Sequence, residues 1–274
     1  MGNDAPDLDR LSLNQMTARN LSVREVADLC SRHKIKNIGL WREPVSKTGI
    51  QESARIVRGA GLNVSSLCRG GFFPAATETA RAERMDDNFR AIEEAAELEA
   101  DTLVLVCGGT PDRNLQGARR TVCEAVHKLA DFAKDHGVRL GVEPLHPMYT
   151  ATRSVVVTLA QALLVVANLP PRLAGVVIDV YHVWWDPDLY AGIENARGRI
   201  FGFHVCDWLD PMPDFVNGRG MMGDGYANIR RIRQAVEASG YSGPIEVEIF
   251  NQKIWDMEQN QMIELVKQRW REAV

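Results

Sequence analysis

Asp179 and His182 stand three residues apart in "IDVYHVWWDPD" (178–188), directly after the apolar run "LAGVVI". A carboxylate and an imidazole at that spacing, where a buried strand would end, can hold a cation or move a proton. Alone the pair is a weak signal, because an aspartate after a strand commonly caps the next helix. Three other places repeat the pattern. Glu143 ends "VRLGVE", His204 and Asp207 fall in "FHVCD", and Glu246 and Glu248 fall in "EVEIF". Like charges gathered in a low-dielectric place repel and lose hydration unless a cation or a tight partner compensates. Three carboxylates and one imidazole suit a divalent ion with mostly oxygen ligands, such as Mn2+, Mg2+ or Co2+, better than a thiolate zinc site. Arginines are scarce near these positions, so a network of arginine–carboxylate pairs is the less expected arrangement. Glu246 and Glu248 are two apart on a strand and point the same way. Glu248, nearer the strand's end, is the expected ligand. Glu246 is expected deeper, paired with a buried base or supporting the ligands.

Residues so far apart in the chain meet only if several strands end on one rim. Short β-type runs do alternate with amphipathic, helix-length segments from end to end. The strand candidates are "RLSLNQMT", "KNIGLW", "LNVSSLC", "DTLVLV", "VRLGVE", "LAGVVID", "IFGFHV" and "PIEVEIF". Between them lie segments such as "SVREVADLCSRH", where Ser22 and Glu25 form a capping box. The others include a long helix from about 81 to 99, "AVHKLADFAKDHG", "TLAQALLVVANL", "DLYAGIENARG" and "NIRRIRQAVEASG". Eight strands and eight helices are expected. Such alternation implies parallel pairing through right-handed crossovers. Eight units in a chain of 274 residues match a closed (β/α)8 barrel, one domain over 1–274, with a doubly wound open sheet as the competitor. In such a barrel the chemistry sits at the C-terminal ends of the strands, where these carboxylates and imidazoles fall.

The bulk numbers exclude other classes. A net charge of -4 and a pI near 5.9 argue against a nucleic-acid surface. Apolar runs are too short to span a membrane, and the polar start "MGNDAPDLDR" has no signal-peptide core, so a cytoplasmic location is expected. Five cysteines with no CxxC pair suit buried small hydrophobes rather than a disulfide framework. Gly218-x-Gly220-x-x-Gly223 matches the dinucleotide fingerprint formally. It lacks the flanking strand and helix, so the glycines read as loop flexibility near a substrate.

Glu143, "DVYH", "FHVCD" and the closing "GYSGPIEVE" together resemble the sugar phosphate isomerase/epimerase superfamily of xylose isomerase-like TIM barrels. The resemblance runs from "LSLNQMT" to "GYSGPIEVEIF". It implies that Glu143, Asp179, His204 and Glu248 are the metal ligands, and that Glu143 and Glu248 are also the acid/base pair. It implies substrate contact for His182 and for Arg219, which lies in "GRGMMGDG" on a loop longer and richer in proline than in the ketose epimerases. Mn2+ is the expected ion, with Mg2+, Co2+ or Zn2+ as alternatives. Independently of the resemblance, His146, Trp41 and Arg69 fall where they could line the same pocket, and Arg69 could recognise an anion. Trp184 and Trp185 serve equally well for stacking or packing.

The implied activity is that of a metal-dependent isomerase or epimerase of a keto-sugar or related polyol, working through glutamate-mediated proton transfer and a metal-stabilised cis-enediolate. The alternative is a lyase of the same superfamily, a dehydratase of an inosose or dehydroshikimate-type ring or an enzyme cleaving a 3-keto-glycoside. Both begin with proton removal beside a carbonyl. A non-catalytic sugar-binding barrel would be expected to lack one of the glutamates, and an endonuclease would want more His and Asp ligands and a basic face. The partner expected is a small molecule. Pairing with a second copy stays open, with 208–225 a candidate lid or dimer contact.

Overall fold

The computed structural model describes residues 6–274, so the first residues of the polar N-terminal segment lie outside the description. Eight parallel strands close into a barrel in chain order. They are β1 (Leu11–Asn14), β2 (Asn37–Trp41), β3 (Asn63–Gly71), β4 (Leu103–Val106), β5 (Leu140–Glu143), β6 (Ala174–Asp179), β7 (Ile200–Val205) and β8 (Ile245–Val247). β1 pairs with β8, which excludes the open sheet.

Eleven α-helices accompany these strands among the described residues, not eight. α1 (Val23–Arg32), α3 (Ile50–Gly59), α4 (Glu78–Glu97), α5 (Leu115–Asp135), α6 (Leu159–Val166), α8 (Leu189–Asn195), α9 (Ile229–Ala238) and α11 (Gln259–Ala273) fall on or near the expected segments. The additions are α2 (Arg42–Thr48), α7 (Val180–Val183) and α10 (Gln252–Trp255), which follow β2, β6 and β8 on the rim. Helices of one or two turns are too short to leave a 3.6-residue periodicity in the sequence. The capping box at α1 is formed, with Ser22 and Glu25 each bonded to the other's backbone. α5 begins ten residues before the expected "AVHKLADFAKDHG", capped by Asn114. No described helix is long and apolar enough to cross a membrane.

The core has two unequal parts. Between sheet and helices lies a continuous apolar layer that includes Leu11, Leu13, Ile38, Leu40, Val142 and Val176. Inside the barrel the apolar part is small: Cys68, Val104 and Val177, with Trp41 against them. The remaining interior is polar. In β1 the leucines go to the helix side while Ser12 bonds Ser65 across the barrel and Asn14 reaches Glu246. A (β/α)8 interior is usually filled by branched aliphatic side chains. Here part of that volume holds hydroxyls, amides and carboxylates. All five cysteines are free thiols, as expected.

Candidate metal centre and active site

Backbone register sets the site. Asp179, the last residue of β6, pairs with His204 of β7, and His204 pairs with Glu246 of β8. Glu143 ends β5, and Glu248 stands one residue past β8, its N–H still bonded to the Val205 carbonyl at 3.2 Å. Glu143, Asp179, His204 and Glu248 are all buried, and each offers one ligand atom within 4.8 Å of the others. All four expected ligands are brought together.

Asp179 does two things at once. Its Oδ1 accepts from the Tyr181 N–H at 2.9 Å and caps α7, as the simpler reading required. Its Oδ2 faces the centre, 2.9 Å from Arg219 Nη1 and 3.6 Å from His182 Nε2. Glu248 is held by Asn14 Nδ2 at 3.1 Å and Arg219 Nη1 at 2.9 Å. No hydrogen bond reaches the Glu143 carboxylate from any described residue; its one ion-pair contact among them is with His204 Nδ1 at 3.6 Å. That same Nδ1 is 3.7 Å from Glu248 Oε2, and it is buried with no hydrogen-bond partner. These separations are too long for hydrogen bonds. They leave an unsatisfied imidazole nitrogen between two carboxylates, an arrangement that a divalent ion bonded at roughly 2.0–2.2 Å satisfies directly. Three carboxylates and one imidazole fit Mn2+, Mg2+, Co2+ or Zn2+.

The environments of these groups differ. Burial pushes Glu143 up to about 8, opposed by His204 and reinforced by Glu248. Burial also raises Asp179, to about 6, against the pull of Arg219. For Glu248 burial is outweighed by Arg219 and His204, which bring it down to about 2. His204 is raised to about 10 because Glu246, Glu248 and Glu143 overcome its desolvation. His182 is held well below its ordinary value by burial and then by Arg219, so it is neutral. The His146 N–H and Arg219 Nη2 both approach His182, each at 3.3 Å. A neutral imidazole accepts one hydrogen bond, so only one of them is satisfied.

A cavity of about 740 Å3 opens on this centre, lined by Glu143, Glu248, His182, Arg219, Trp41 and Arg69 among others. His146 is placed elsewhere. Its ring stacks on Trp208 at 4.7 Å and meets Trp185 edge-on, outside the cavity lining; its contribution is the backbone N–H to His182. Trp184 packs on Trp208 and Trp185 bonds the His182 carbonyl, so both are packing residues.

Two expectations are corrected. Arginine–carboxylate pairing does occur, since Arg219 bonds both Asp179 and Glu248 while lying between the rings of Tyr181 and Phe250, 4.6 Å from each. It arrives from a loop, which proximity in sequence to the strand ends could not show. Arg219 pairs with Asp179 and Glu248 and makes no ion pair with Glu143 among the described residues. The second correction concerns Gly218, Gly220 and Gly223 and the loop that carries them. Asp207 is not beside the proposed ligands; its carboxylate accepts from the N–H groups of Trp208, Gly223, Gly225 and Ala227 at 2.9 to 3.0 Å. At Gly218 a Cβ would lie 2.3 Å from the Asp214 carbonyl oxygen, so glycine there permits a close backbone approach and not flexibility. Tyr181 Oη, at 3.0 Å, and Tyr149 Oη both bond the Phe215 carbonyl and hold the same loop over the rim, where Val216 and Asn217 line the cavity.

Asn14 is the site residue missed in the sequence. It donates to Glu246 Oε1 at 2.5 Å and to Glu248, and its Oδ1 accepts from Trp41 Nε1 at 3.1 Å. The available signal was a polar residue at the end of "LSLN", which a search for carboxylates and imidazoles at strand ends passes over.

A family model described as xylose isomerase-like TIM barrel matches residues 23–272. The chain belongs to this family. Protein SMc04130 from Sinorhizobium meliloti 1021 is 45% identical and superposes with a TM-score of 0.94, covering 97% of this chain and 99% of that one. Inosose isomerase from Halalkalibacterium halodurans is 25% identical over 57% of this chain and 55% of its own length. 3-Dehydroshikimate dehydratase from Pseudomonas aeruginosa is 28% identical over 64% of this chain and 28% of its own length. The chain thus spans about half of the first of these two enzymes and under a third of the second.

Proposed function

We propose that this family member is a divalent-metal-dependent isomerase or epimerase of a keto-sugar or related polyol. The observation that carries the proposal is the unsatisfied Nδ1 of His204 among Glu143, Asp179 and Glu248, at the floor of a cavity large enough for a sugar. The similarity to an isomerase and to a dehydratase supports chemistry that starts with proton removal beside a carbonyl, the step both reaction types share.

Glu143, Asp179, His204 and Glu248 would hold the ion. When bound, it supplies Lewis-acid polarisation of a substrate carbonyl and acidifies the neighbouring C–H. Glu143 and Glu248 do the proton transfer. Arg219 and Asn14 keep Glu248 ionised and oriented, while the Glu143 carboxylate accepts no hydrogen bond from the described residues and is left to face the substrate. Neutral His182 and cationic Arg219 stabilise negative charge developing on a substrate oxygen. Returning the proton to the neighbouring carbon isomerises; returning it to the opposite face epimerises.

Incubating the Mn2+-loaded protein with keto-sugars and inososes in deuterated water, followed by NMR and mass spectrometry, tests this. Deuterium beside the carbonyl with conserved mass is expected, and Glu143→Gln should abolish it while circular dichroism shows an intact fold. An unsaturated or cleaved product would assign the lyase alternative. Absence of exchange across the panel with ion bound overturns the proposal.

A further inference from the structure

The cavity carries cationic groups that the proton-transfer machinery does not use. Arg69 and Arg153 both line it, and both are exposed. Each lies over an aromatic ring, Arg69 4.1 Å from the Phe72 centroid and Arg153 5.2 Å from that of Tyr149. Neither guanidinium has a hydrogen bond or an ion pair among the described residues. This sets them apart from the neighbouring Arg42, which is paired with Asp87 and Glu94, and from Arg219, paired with Asp179 and Glu248. Lys47, also on the cavity, is paired with Glu43, and Arg19, a further lining arginine with no ion pair among the described residues, lies over the Trp255 ring at 4.7 Å. Stacking restrains the plane of a guanidinium and leaves its in-plane N–H fork free for a planar, bidentate acceptor. The two charges are near enough to affect each other: partial desolvation lowers the Arg69 pKa, and Arg153 lowers it further.

A divalent ion would offset most of the carboxylate charge left over by Arg219 at the floor, so the loaded cavity presents its unpaired arginines as excess positive charge. We propose that the substrate carries a carboxylate, held by Arg69 and Arg153, while its ketone faces Glu143 and Glu248. The proposal rests on the keto-sugar reading and names the class within it: a keto-sugar acid. A carboxylate fits better than a phosphate. In (β/α)8 barrels phosphates commonly bind backbone N–H groups of the loops after β7 and β8. Here the Gly223, Gly225 and Ala227 N–H groups after β7 are all donated to Asp207.

The test is equilibrium binding to the Mn2+-loaded protein by calorimetry, using pairs that differ only at one terminus: D-fructose with D-fructuronate, and D-tagatose with D-tagaturonate. The corresponding 6-phosphates form a third arm. The expected result is that an acid binds at least about tenfold tighter than its neutral partner, with the advantage shrinking in ~0.5 M salt. Arg69→Gln and Arg153→Gln should each remove most of the advantage, with the Mn2+ stoichiometry unchanged. Equal binding of acid and neutral partner, or loss-free arginine variants, overturns the carboxylate proposal and leaves the keto-sugar reading standing. A 6-phosphate bound tighter than the acid also overturns it. Failure of every ligand to bind the loaded protein overturns the keto-sugar reading itself, and this proposal with it.

Discussion

Gly39 and Glu246 share one space: a Cβ on residue 39 would lie 2.1 Å from Glu246 Oε1. The absent side chain on β2 is therefore what admits a fully buried carboxylate from β8. Glu246 is satisfied there by Asn14, by Ser65 at 2.6 Å and by Ser66 at 3.0 Å, and its Oε1 faces His204 Nε2 at 3.8 Å. It lies level with His204 in the sheet register and supports it from behind.

Gly39→Ala should lower unfolding stability by about 1–3 kcal/mol, the usual cost of overpacking a core. The clash is with a side chain whose partners are all buried, so it cannot relax into solvent. Urea denaturation measures the change. A loss below about 0.5 kcal/mol would show that Glu246 can move aside.

Glu246→Gln keeps the volume and removes the charge facing His204. Outer groups that orient a ligating histidine typically contribute 10- to 100-fold to metal affinity. A weakening of Mn2+ binding of about tenfold or more is expected by titration calorimetry, with the fold retained. Unchanged affinity would reduce Glu246 to a structural role.

Metal affinity should rise with pH. In the ion-free chain His204 titrates near 10 and Glu143 near 8, so both carry protons at neutral pH, and both must release them to act as ligands. Raising pH toward 8 therefore removes competition, and lowering it adds competition. Calorimetry in two buffers of different ionisation enthalpy should show protons released on Mn2+ binding at pH 7 and fewer at pH 9. Affinity independent of pH between 6 and 9 would contradict the protonated, ion-free centre.

Asp207→Ala leaves four backbone N–H groups without their acceptor. A loss of about 2–4 kcal/mol is expected, together with faster amide hydrogen exchange confined to 208–227. Mn2+ stoichiometry should stay unchanged, because Asp207 is not among the proposed ligands. Loss of the metal would show that the loop shapes the centre itself.

Local order was legible in the sequence because it depends on near neighbours. The Ser22–Glu25 capping box, the apolar run of β6 and the strand candidate "RLSLNQMT" are short-range patterns, and each appears where expected. The rule that parallel strands present their C-terminal ends on one rim put Glu143, Asp179, His204, Asp207, Glu246 and Glu248 among the candidates, and the family resemblance singled out the four that meet. The other contacts between distant segments were decided by the tertiary structure. Arg219 reaches Asp179 from 40 residues away, and Asn14 reaches Glu246 from 232 away. Neither approach has a local signature. His146 faces away from the cavity because Trp208 offers its ring a stacking surface, and Asp207 is consumed by the loop that wraps it. Residue types and spacing determined which groups stand at the strand ends. Closure of the barrel decided which of them face one another, because charge compensation and space at the centre are properties of all eight strands together.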